Sequence, residues 1–163
     1  MKKAIIVGAS SGIGKGIALS LLRDHYKIGI TGRRINNLEE IKKINPKNVF
    51  VSSYDCTKES NAKKLGELEK LMGGLDMLVI SSGFGDVNKS LEFSIENKTN
   101  QLNVVAFTET VGWGFNYFSK QNSGHSVVIS SIAGIRGNGL APSYNASKAY
   151  QINYLEGLRF KAF

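Results

Sequence analysis

Short runs rich in Val and Ile recur along the chain, and between them apolar residues return every three or four positions. The first pattern marks strands buried on both faces and the second marks amphipathic helices, so their alternation predicts successive βαβ units around a parallel sheet. Five strands are predicted, over Lys3–Gly8, Lys27–Gly32, Asn48–Ser52, Asp76–Ser81 and Ser126–Ser131. Helices are predicted over Gly12–Asp24, Ile35–Ile44 and Lys58–Met72, over one long region from about Ile95 to Lys120, and over Ser143–Lys161. Pro142 suits the first turn of the last helix and Ser143 suits its cap. The fold class is therefore α/β, a doubly wound parallel sheet.

Length changes this picture little, since 163 residues with 42% hydrophobic content make one domain, 1–163, with a sizeable core. No internal repeat, low-complexity tract or proline-rich linker divides it, and Pro46 and Pro142 are the only prolines. The formal charge of +8 raises nucleic acid as a ligand, but the basic residues are scattered and no aromatic positions interleave with them. A solvated basic surface without nucleic acid is the preferred reading. Cys56 is the only cysteine, which excludes an internal disulfide and cysteine-cluster zinc sites and fits a reducing cytoplasm. The opening Ala4-Ile5-Ile6-Val7 is too short for a signal h-region, and no stretch approaches a membrane span. A soluble protein is expected, with no membrane partner and no bound metal.

Two segments carry chemistry. Gly8-Ala9-Ser10-Ser11-Gly12-Ile13-Gly14 lies between the first strand and a helix whose Ile13, Ile17 and Leu21 form one apolar stripe. A glycine turn there lets backbone amides reach a pyrophosphate at the helix N-terminus. The spacing is G-x-x-x-G-x-G; an NTPase phosphate loop fails because Ala9 stands at its first glycine and Gly16 at its Ser/Thr. After the second strand stand Arg33 and Arg34, where a free ribose 2′-hydroxyl usually meets a carboxylate. Guanidinium groups suit a 2′-phosphate, so NADP is expected over NAD; ordinary exposed charges are the alternative.

The second segment is Tyr144-Asn145-Ala146-Ser147-Lys148. A free tyrosine titrates near pH 10, too high for efficient base catalysis at neutral pH, and a lysine at i+4 on the same helix face supplies the cation that favours phenolate.

Together the glycine loop, Asp55, Asn103 in Gln101-Leu102-Asn103-Val104-Val105, Ser130-Ser131-Ile132-Ala133-Gly134 and the Tyr144/Lys148 pair resemble, in their order, the short-chain dehydrogenase/reductase family. The resemblance covers the whole chain. It implies a five-stranded Rossmann-type domain and hydride transfer between a nicotinamide and a small carbonyl or alcohol substrate. It makes Tyr144 the proton donor or acceptor, Lys148 its cation, and Ser131 the holder of the substrate oxygen, with Ser130 as fallback. Asn103 would support the lysine through a water relay from a helix interruption. Gly8, Ser10, Ser11, Gly12, Ile13, Gly14, Arg33, Arg34, Asp55, Cys56, Ser82 and Gly83, with Tyr144 and Lys148, would bind the cofactor. Two of these keep other readings: Asp55 as a helix cap rather than an adenine contact, and Cys56 as a small structural side chain.

The chain departs from the family in two places. Ile80-Ser81-Ser82-Gly83 stands where Asn-Asn-Ala-Gly is usual, so only the glycine remains for a backbone contact. After Leu158-Arg159-Phe160-Lys161-Ala162-Phe163 the family continues with a sixth and a seventh strand, a Pro-Gly nicotinamide contact and a substrate lid. A shortened member is expected, and a cofactor-binding or assembly module without turnover is the alternative function. Val104, Phe107, Val111, Phe115 and Phe118 form a wide apolar helix face, which predicts a homo-oligomer, dimer or tetramer, unless the sheet covers it. His25 and His125 have no partner pattern.

Overall fold

In the computed structural model, which describes residues 1–162, the five strands β1 (Lys3–Val7), β2 (Lys27–Gly32), β3 (Val49–Ser53), β4 (Met77–Ile80) and β5 (His125–Val128) form a single sheet. All pairings are parallel and the order is β3-β2-β1-β4-β5. The fold is Rossmann-like. Each strand falls on a predicted segment, but β5 ends at Val128, three residues before the predicted Ser131. The chain leaves the sheet there to enter a 3-10 turn, Ile132–Gly134.

Alternation along the strands divides the core into two layers. Ile5, Val7, Leu78 and Ile80 point to one face, packed by Leu65, Leu68 and Met72 of α3 (Asn61–Met72) and by Phe107, Val111 and Phe118 of α5 (Phe107–Gln121). Ala4, Ile6, Ile28, Ile30 and Val79 point to the other, where Ala18 of α1 (Gly12–Arg23) and Leu38 and Ile41 of α2 (Ile35–Ile44) cover them. Burial on both faces is why the strands read as unbroken apolar runs. Gly29 lets α3 approach β2 closely: a Cβ there would lie 2.6 Å from Met72 Sδ and 2.8 Å from Leu68 Cδ2.

The predicted long helix is three pieces. α4 (Phe93–Asn100) passes into a π-helical segment, Gln101–Ala106, and then into α5. Phe107 N–H donates to Leu102 O, five residues back, which widens the turn. Of the proposed apolar face, Phe107, Val111 and Phe118 are buried in the core and Val104 and Phe115 are half-buried, so the sheet takes most of it.

The last helix, α6 (Pro142–Lys161), has Pro142 in its first turn as predicted, but Ser143 is not its cap. Residue Ala141 occupies the cap position without a side-chain bond, and the Glu96 carboxylate from α4 accepts both the Ser143 N–H (3.1 Å) and the Ser143 hydroxyl. A carboxylate at a helix N-terminus also suits the helix dipole. These hydrogen bonds and one from Asn88 hold the Glu96 carboxyl below its usual titration range. No helix among the described residues is long and apolar enough to cross a membrane.

Candidate active site

Strand order switches sides between β1 and β4, later strands being added on the opposite edge of β1, and a doubly wound sheet opens a crevice at the carboxyl ends of its strands at that point. A cleft of ≈ 460 Å³ lies there, bounded by the segments that follow all five strands.

One end is the glycine loop. Gly8 and Ala9 N–H both donate to Thr31 O, at 3.1 and 2.9 Å, which ties the loop to the end of β2. Gly8 has φ 90, and a Cβ there would fall 2.6 Å from Ser82 N. Gly14 packs on the same turn, where a Cβ would come within 2.2 Å of Gly8 O. Only glycine fits either place. Ser11 precedes α1 but makes no side-chain cap, so the first-turn amides keep their capacity for an anion. Instead the Ser11 hydroxyl accepts from Arg34 Nη2, which also donates to Ser10 Oγ at 3.2 Å. Arg33, Arg34 and the exposed Ile13 reach the cleft beside Gly12.

The adenine-side residues separate. Cys56 lines the cleft, and burial pushes its thiol up to about 11, so it is an inert neutral contact. Asp55 is not on the cleft wall; its Oδ1 accepts Thr57 N–H (3.0 Å) and Thr57 Oγ1–H (2.7 Å). Burial opposes its charge, but the Thr57 bonds, Arg33 and Lys58 outweigh that and hold the carboxyl below its ordinary range. It caps a turn and not α3, whose cap is Ser60 with its hydroxyl on Lys63 N–H.

At the other end, Tyr144 and Lys148 lie on the wall together with Ser82 and Gly83. Lys148 Nζ stands 5.8 Å from the Tyr144 ring centroid. The lysine is only 4% exposed, and burial lowers its pKa. Its ammonium donates to Ile129 O (3.0 Å) and to Gln151 Oε1 (3.1 Å), leaving a third N–H unspent. Gly85 lies against the phenol, for a Cβ there would meet Tyr144 Cδ2 at 2.3 Å.

The two serines are distinguished by their protons. Ser130 is on the cleft wall, but its hydroxyl donates to Lys148 O at 3.3 Å, and a hydroxyl has one proton to give. Ser131 is not among the wall residues; its oxygen accepts Ala133 N–H at 3.1 Å and its proton stays free.

Asn103 lies behind the wall, fully buried in the π-helical segment, which is the interruption expected there. Its Oδ1 accepts Phe84 N–H (2.9 Å), while its Nδ2 donates to Phe84 O (2.7 Å) and Ser147 Oγ (2.9 Å). The two bonds to Phe84 fix the loop after β4 beside Gly83. Its link to the lysine runs through a side chain: Gln151 Nε2 donates to Asn103 O at 2.9 Å.

Four contributors had no motif: Phe84, Gly85, Glu96 and Gln151. The only sequence signal among them is that Gln151, three residues after Lys148, is a polar residue on the inward face of α6.

A family model described as short chain dehydrogenase matches residues 2–162. The chain belongs to this family. An uncharacterized oxidoreductase of Myxococcus xanthus is 30% identical over 97% of the chain, which covers 65% of that protein's length. The chain thus spans about two thirds of that relative. Among solved structures, "ElxO with NADP Bound" superposes with a TM-score of 0.89 at 25% identity, covering 99% of this chain and 68% of that one. An alcohol dehydrogenase from the archaeon Thermococcus sibiricus, complexed with 5-hydroxy-NADP, gives 0.90 at 24% identity, with 99% and 72% covered, and shares the fold.

Proposed function

We propose that the chain is an NADP-dependent oxidoreductase that interconverts a small carbonyl compound and its alcohol. One observation carries the reading: the glycine loop, the arginines after β2 and the Tyr144/Lys148 pair border one crevice. A nicotinamide cofactor supplies or takes up a hydride at its C4.

The residues fit such a group. The first-turn amides of α1 would hold its pyrophosphate, and Arg33 and Arg34, the latter already on two serine hydroxyls, would hold the 2′-phosphate. The third N–H of Lys148 is free for a ribose hydroxyl. In reduction the carbonyl carbon gains the hydride, and its oxygen, where negative charge develops, accepts the unspent Ser131 proton as a hydrogen bond. Tyr144 then gives that oxygen its phenolic proton; in oxidation it takes the proton back. The buried ammonium of Lys148 stabilises the phenolate that is left.

Absorbance of NADPH over a panel of ketones and aldehydes tests the reading, and oxidation of NADPH by one of them at a rate above NADH is expected. Arg34→Ala lowers the preference for NADPH by about tenfold, one lost charge-assisted pair. A panel without turnover, or tighter NADH binding by the parent chain, overturns the assignment.

A homo-oligomer belongs to the same reading. The edge strand β5 and the groove beside it, where Phe115 and Leu158 are half-buried, support it. Light scattering at rising concentration is expected to show association, and a persistent monomer counts against it.

A further inference from the structure

A buried amide beside the lysine, engaged at both its ends, belongs to a residue outside the expected set. Gln151 is 1% exposed on α6, one turn beyond Lys148. Its Oε1 accepts from Lys148 Nζ (3.1 Å) and its Nε2 donates to Asn103 O (2.9 Å), so it joins the helix that carries the lysine to the π-helical segment. An amide has a donor end and an acceptor end, and here each faces the complementary group. The geometry therefore fixes the amide's orientation as well as its place.

We infer that Gln151 is a positioning residue: as a rigid bridge between the Asn103 carbonyl and the Lys148 ammonium, it aims the ammonium at Tyr144 where the family resemblance called for a water. The inference rests on the oxidoreductase reading for its catalytic consequence but not for the bridge itself. The groups that face Lys148 are few. Tyr144 shares its helix, and the π-helical segment carries no titratable residue. On α4, which packs on α6, Glu96 is engaged by Ser143 and Asn88, and Lys98 sits over the Phe84 ring at 4.1 Å. Ile129 O, after β5, is its other acceptor. With no carboxylate pairing it among the described residues, the ammonium depends on two neutral oxygens to stay charged in a buried place.

Two substitutions separate a bridge from simple packing. Gln151→Met fills the space but removes both polar ends. Gln151→Ala leaves a small hollow walled by the Asn103 and Ile129 carbonyls and the ammonium, polar enough for a water to take over the link. Packing alone ranks Ala as the worse change in both stability and rate. A bridge inverts the second ranking: Ala melts lower than Met, yet Met loses about tenfold in kcat with KM little changed, and Ala loses less. Lysine-selective NMR titration of the cofactor-free chain supplies a readout independent of turnover. The Lys148 titration is expected to move down by about one pH unit in the Met variant, the loss of one hydrogen bond to a charge, and by less in the Ala variant.

Equal titration of Lys148 in parent and Met variant overturns the bridge, as does a Met variant more active than Ala. Should the Met variant fail to fold, the parent decides: slow solvent exchange of the Lys148 ammonium protons supports the bridge, and exchange as fast as at surface lysines overturns it. A Lys148 titration that moves down in the Met variant, together with a parent chain that shows no turnover, sinks the oxidoreductase reading and leaves the bridge standing.

Discussion

Tyr144→Phe is expected to lower kcat for carbonyl reduction by about a thousandfold while NADPH binding changes less than about twofold, because positioned proton transfer contributes roughly 10²–10⁴. The substitution removes one oxygen and keeps the ring. The ring is what packs against Gly85, whose missing Cβ would otherwise meet it at 2.3 Å, so the loop after β4 keeps its place. Lys148 also keeps its two acceptors, Ile129 O and Gln151 Oε1. What is lost is the proton for the developing alcohol: the proton of Ser130 on the wall is spent on Lys148 O, and Ser131, which is not among the wall residues, serves as a hydrogen-bond donor only. Single-turnover absorbance with saturating NADPH checks this, and a rate within threefold of the parent removes Tyr144 from the mechanism.

Gly14→Ala should be the most damaging small change at the other end of the cleft. The new methyl would sit 2.2 Å from Gly8 O, 2.9 Å from Gly8 C and 3.2 Å from Ala9 Cα. These are backbone atoms, and both flanking amides are anchored to Thr31 O, so the turn cannot yield without breaking those bonds. Overpacking of this kind costs about 3 kcal/mol, which for a domain of this size lowers Tm by on the order of 10 °C. Displaced first-turn amides should also weaken NADPH binding by about a hundredfold. Gly12→Ala is the internal contrast. Nothing lies within 4 Å of its would-be Cβ, and the φ of +56 costs only about 1 kcal/mol. Thermal melts and NADPH fluorescence titration of both variants make the comparison. Equal losses at the two positions refute the close-contact explanation.

Much of the architecture was legible in local pattern. Runs such as Ala4-Ile5-Ile6-Val7 are strand signals because neighbours on both faces demand apolar side chains, whereas the expected stripe of α1 is taken up only in part: Ile17 and Leu21 pack on the core and Ile13 is exposed at the cleft. Tyr144 and Lys148 were readable as partners because i and i+4 share a helix face whatever the rest of the chain does. The boundaries were weaker. Nothing in Ser126–Ser131 marks Val128 as the last paired residue, since β5 ends where its neighbour β4 ends. The predicted serine cap of α6 went wrong for a related reason: the donors of that first turn are met by Glu96, 47 positions away. Asp55 was expected at the adenine, with a helix cap as the alternative, and its Thr57 contacts show a turn cap off the cleft wall.

What the order of residues determined by itself was the alternation of strand and helix, the phosphate-ready glycine turn and the tyrosine-lysine pair, because each depends on spacings of a few residues along one element. Only the tertiary structure decided which of Ser130 and Ser131 keeps its proton, why Asn103 sits in a widened helix, and that Gln151 completes the lysine's surroundings. Those outcomes depend on hydrogen bonds closed between segments 18 to 48 residues apart, as in Ser130 to Lys148 and Gln151 to Asn103. A short-range pattern carries no record of such pairings, because a polar side chain reads the same in sequence whether it faces water or a buried partner.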